Sequence, residues 1–99
     1  MVTIGISLWP AESAKKVGKC FLEMPPYPDF IEVIGPFNIA DVGSGITSII
    51  IYKYDKEKAG EAYEALSRVY VSFFDVPGLT YSLKNASDIP SSFKMLGLA

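Results

Sequence analysis

No histidine occurs in the 99 residues. That absence removes the commonest general base at neutral pH, the commonest zinc ligand and every Ser-His or Cys-His catalytic pair. The one cysteine, Cys20, cannot close an internal disulfide. It stands beside Phe21, where a buried thiol behaves as a small hydrophobe. Neither a metal nor a cofactor is expected, and catalysis by the chain's own groups would fall to carboxylates, tyrosines or lysines. The one arginine, Arg68, excludes an arginine clamp on a polyanion within one subunit. A net charge of −2 is not that of a nucleic-acid surface, which needs clustered Lys and Arg. No apolar run is long enough to cross a bilayer, and the N-terminus lacks a basic stretch followed by a cleavage site. The expectation is a soluble, cytoplasmic protein with no nucleic-acid or membrane partner.

What is present is hydrophobic: 49% of the chain, too much for a disordered segment. The length suits one domain over 1–99. Val2 to Trp9 alternates in the period of a half-buried strand. Pro10 suits a first helical turn, and Ala11, Ala14, Val17, Gly18, Phe21 and Leu22 recur at helical spacing. Pro25, Pro26 and Pro28 stop that helix. Phe30 to about Val42 reads as a strand whose Pro36 removes a ladder donor, so it belongs at an edge or is bulged. Gly43-Ser44-Gly45 is a turn into the next strand, Ile46 to Tyr54. Asp55 is a candidate N-cap for a helix with the apolar stripe Ala59, Ala62, Tyr63, Leu66, Val69, Tyr70 and Phe73. Leu79, Tyr81 and Leu83 mark a last strand. Asp88-Ile89-Pro90 can begin a short helix carrying Phe93 and Leu96, packed on this subunit or on a partner.

The Ile46–Tyr54 strand is apolar on both faces. Strand side chains alternate, so Ile46, Ser48, Ile50, Tyr52 and Tyr54 share one face, and Thr47, Ile49, Ile51 and Lys53 the other. Helices cover only one of them, and a second copy of the chain is the natural cover for the other. The order β-α-β-β-α-β is the split βαβ arrangement. It predicts a ferredoxin-like α+β sandwich, with an antiparallel sheet of order 4-1-3-2 and two helices on one face. Element order, length and the doubly apolar strand resemble the dimeric α+β barrel superfamily of ferredoxin-like domains. That resemblance implies a homodimer joined through its sheets and a pocket between sheet and helices. Its members include cofactor-free monooxygenases and isomerases, but no catalytic residue carries over, because many of those enzymes use a histidine.

Two groups of candidate residues follow. Tyr27, Tyr52, Lys53 and Tyr54 would gather near the start of the second helix and bind a small, partly apolar molecule, with aromatic walls and Lys53 holding a carboxylate. Thr3, Gly5, Ser7 and Trp9 share a strand face whose small residues leave room either for a partner's larger side chains, the favoured reading because aromatics are enriched at interfaces, or for a pocket. With Ile49 and Ile51 they form the expected dimer interface. For the enzymatic alternative, a tyrosine with Glu32 or Lys53 would move the proton. Glu32 and Asn38 share a parity on a regular strand, and Asp41 joins Glu32 only if Pro36 marks a bulge.

Overall fold

Alternating side chains make Val2–Trp9 strand β1 in the computed structural model, which describes residues 1–41 and 43–98. Pro10 is extended and its carbonyl accepts a hydrogen bond from the Ser13 amide at 3.0 Å. It therefore precedes a 3-10 turn, Ala11–Ser13, that leads into helix α1, Ala14–Glu23. Strand β2, Glu32–Asp41, begins two residues later than expected, because a turn closed by the Ile31 amide on the Pro28 carbonyl holds Phe30 outside the strand. The expected end at Val42 lies outside the described residues. Strand β3 is Gly45–Lys53 and helix α2 is Ala59–Val71. Asp55 does not cap α2. Its carbonyl accepts from the Lys58 amide to close the 3-10 turn Lys56–Lys58, and its side chain makes no cap bond. Strand β4, Thr80–Ala86, is followed by α3, Ile89–Met95, which Asp88 caps by accepting from the Ser91 amide at 2.8 Å.

The four antiparallel strands lie in the order β2-β3-β1-β4, which reads 4-1-3-2 from the other edge. Pro36 sits at an edge, in a bulge: Ile34 pairs with Ile51 and Phe37 with Ile49, so Gly35 and Pro36 together oppose Ile50. Gly35 has φ +105°, a conformation that favours glycine. The extra residue resets the parity of β2, so Glu32 and Asp41 share one face and Asn38 takes the other.

Register settles which face meets the helices. Trp9 pairs with Ile46, Ser7 with Ser48, Gly5 with Ile50 and Thr3 with Tyr52. All of these lie on the side of α1 and α2. Trp9 packs there with Val17 of α1 and with Val69, Phe73 and Val76, while Tyr52 and Tyr54 pack with Ala62 and Leu66 of α2. Thr3, Gly5, Ser7 and Trp9 are thus not on the face expected to meet a second copy. The room their small side chains leave is taken by this chain's own helices. The other face carries Ile4, Ile6 and Leu8 opposite Ile51, Ile49 and Thr47, extended by Ile34, Phe37 and Ile39. Among the described residues the buried helix contacts all fall on the other side, and Leu8, Phe37 and Ile39 of this face are exposed. Among the described residues no helix is long and apolar enough to cross a membrane.

Candidate functional site

Small residues at the centre of the helix-covered face have a direct consequence. Two large elements, an amphipathic α1 and an aromatic-rich α2, rest on Gly5, Ser7 and Ser48, which cannot fill the space beneath them. A cavity of about 330 Å³ remains between sheet and helices. Trp9, Ser48, Tyr52, Val69 and Tyr70 form its buried floor, and exposed Gly18 and Phe21 of α1 face Pro36 and Asn38 of β2 across its mouth. Among the described residues that line it, none carries a charge.

Gly5 is required by a close approach. A β-carbon at this position would collide with the Tyr70 hydroxyl and press on the Tyr52 ring. Tyr70 is thereby allowed to reach across the sheet, where it stacks on Tyr81 with ring centres 4.6 Å apart. Its hydroxyl lies 3.4 Å from that of Tyr52, which lies 3.2 Å from that of Tyr27. Both contacts are longer than the usual O–H···O separation of about 2.8 Å, so the chain of phenols is loose. Three hydroxyls joined by two contacts use two of three protons. One proton is left over whichever way the chain runs, and neither Tyr27 nor Tyr70 has another hydrogen-bond partner among the described residues. The buried Trp9 Nε1 likewise finds no acceptor among them. Burial is the main cause that raises the Tyr52 and Tyr27 hydroxyls above the ordinary phenol range, and at Tyr52 the neighbouring phenols raise it further. Both remain protonated at neutral pH.

The expected ligand group is therefore divided. Tyr27 and Tyr52 line the cavity together. Tyr54 instead closes the end of the core, its hydroxyl 2.6 Å from Thr3 Oγ1. Lys53, next to Tyr52 in sequence, points to the opposite face, where it pairs across the strands with Glu32 and is exposed. Adjacent strand residues cannot share a face, so Lys53 does not hold a carboxylate in this cavity. Glu32 is on that same far side, which removes both residues expected to assist a tyrosine in proton transfer. Asn38 reaches the cavity mouth because of the bulge. Tyr70 was not among the expected site residues. In the sequence it is one more member of the α2 stripe, and only its pairing in space with Gly5 sets it apart.

Among the described residues no group of three or more His, Cys, Asp or Glu side chains is placed to hold a metal ion. No family model matches the chain, and no curated protein matches it significantly. Among solved structures it is similar to a tripeptidase from Staphylococcus aureus, with 11% identity and a TM-score of 0.47 over 99% of this chain. The chain spans 35% of that protein's length, and so slight a likeness carries no functional argument.

Proposed function

We propose that this chain is a ferredoxin-like protein of the dimeric α+β barrel type, a homodimer that binds a small, partly apolar molecule between its sheet and its helices. The cavity carries the reading. Its volume is within the range of small-molecule sites, and an apolar wall with a few convergent polar groups is the usual composition of such sites. Binding stands ahead of the alternative, a cofactor-independent monooxygenase or isomerase. That chemistry needs a base beside the ligand, yet Glu32 and Lys53 lie across the sheet, and burial keeps the Tyr27 and Tyr52 hydroxyls protonated. The homodimer is supported by the uncovered aliphatic face of the sheet, a contiguous apolar surface of the kind that marks an interaction site. A second copy brings an identical face of matching chemistry.

Gly18 offers the test. It lines the cavity, and a β-carbon there would meet nothing within 4 Å. Gly18→Leu is therefore expected to occlude the cavity mouth, its β-carbon meeting no atom, and replacing a helical glycine stabilises the fold by up to about 1 kcal/mol. In a thermal-shift screen of small aromatic and aliphatic compounds, the wild-type protein is expected to be stabilised, by about 2.7 kcal/mol at a ligand concentration of 100 times Kd. Gly18→Leu is expected to start at least as stable and to show no shift. If no compound stabilises the wild type, or the variant responds equally, the cavity is not a binding site.

A further inference from the structure

Resting on that reading, we infer that the cavity selects an uncharged, flat molecule carrying a hydrogen-bond acceptor, with an aryl ketone as the representative class. Three observations lead there. The lining includes Phe21, Tyr27, Trp9 and Phe73, aromatic surfaces that match a flat apolar body. The polar groups have donors to spare: the phenol chain of Tyr27, Tyr52 and Tyr70 holds one proton more than its contacts use, and the Trp9 indole N–H is unpartnered. An unpaired donor in an apolar setting is costly, and a ligand carbonyl at the phenols answers that need.

The absence of any charged side chain among the described lining residues decides the charge of the ligand. A carboxylate would leave water for a wall with no cation to receive it, and burial of an unpaired charge costs far more than burial of a carbonyl. The raised Tyr27 and Tyr52 hydroxyls report the same environment, one that disfavours negative charge. One feature pulls the other way: Ala14, the first residue of α1, also lines the cavity, and helix N-termini attract anions.

Three probes of one shape separate these influences: acetylnaphthalene, naphthoate and ethylnaphthalene, substituted at the same ring position and titrated by calorimetry at pH ~7 into wild-type protein and Gly18→Leu. The ketone is expected to bind about tenfold tighter than the other two, a ratio of the size that one buried hydrogen bond supplies. Its heat of binding is expected to vanish in Gly18→Leu. Naphthoate binding as tightly as the ketone would mean that the α1 N-terminus governs selection, and would overturn the inference while leaving the cavity a binding site. Equal binding of ethylnaphthalene and ketone would overturn the part played by the phenol donors. If none of the three binds, or the ketone binds Gly18→Leu unchanged, the cavity is not the site and both readings fall.

Discussion

The two faces of the sheet are built on opposite rules. The helix-covered face places Thr3, Gly5, Ser7 and Ser48 at its centre, while the uncovered face carries Ile4, Ile6, Ile34, Ile49 and Ile51. In a monomeric sandwich the arrangement would be the reverse, with large aliphatic residues beneath the helices and polar residues toward water. The difference assigns a separate task to each side. Beneath the helices the small residues make room for long aromatic side chains and leave a cavity. On the open side, branched aliphatic residues make a regular surface suited to packing against another sheet. A third surface is α3, whose Ile89 and Met95 are exposed, as is Leu96 just beyond its end. It is a second apolar surface left without cover among the described residues.

The comparison breaks first at Ile49. Ile49→Lys puts a charge at the centre of the open face and leaves the helix side untouched. Each buried isoleucine side chain contributes about 1.5–3 kcal/mol, and a two-fold interface counts it twice. Association is therefore expected to weaken by about 3–6 kcal/mol, enough to convert a micromolar dimer to monomer in analytical ultracentrifugation, with circular dichroism unchanged. A wild-type protein that is already monomeric would remove the dimer from the proposal. So would a variant that sediments unchanged.

A smaller effect is expected from Gly5→Ala, a change of one methyl group on the other face. The added carbon displaces the Tyr70 hydroxyl and strains its stacking on Tyr81. Overpacking of this kind costs about 1–3 kcal/mol. The urea midpoint should fall without any change in sedimentation. If the midpoint holds, Tyr70 has other room to occupy and its place in the phenol chain is incidental.

Most of the strand and helix positions were legible in the sequence because periodicity is local. Pro36 disclosed its own edge position and bulge, since a residue without an amide proton has few places in a sheet. Side-chain alternation separated Ile49 and Ile51 from Tyr52 and Tyr54, but alternation is symmetric and cannot say which set meets the helices. For that reason the small residues of β1 read from the sequence as room for a partner or for a pocket, with the partner favoured. Empty space on a strand looks the same from the sequence whether another molecule or this chain's own Tyr70 fills it. Topology brings the end of β3, with Tyr52 and Lys53, near Tyr27, but neighbouring strand residues face apart, so only Tyr52 of that pair reaches the cavity. The cavity itself is a product of register: Gly5 opposite Ile50, Ser7 opposite Ser48, and above them Tyr70 of α2, which is distant from β1 in the sequence.

The smallest expected effect concerns only the cavity side, and it depends on pH. Burial raises the Tyr52 and Tyr27 hydroxyls above the ordinary phenol value, which in an unfolded chain is about 10. Above that pH the unfolded chain loses protons that the folded protein keeps. Because the folded state then binds more protons, stability falls as pH rises. The contribution is intact below pH ~10 and is lost progressively above it, with a slope of at most about 1.4 kcal/mol per pH unit from Tyr52. Denaturant unfolding between pH ~9 and ~11 should show this decline in the wild type and a shallower one in Tyr52→Phe, whatever the variant's stability at neutral pH. A decline equally steep in Tyr52→Phe would assign the alkaline sensitivity to groups outside the cavity. It would also leave the uncharged lining of the cavity as the one remaining reason to regard the helix-covered face as hostile to negative charge.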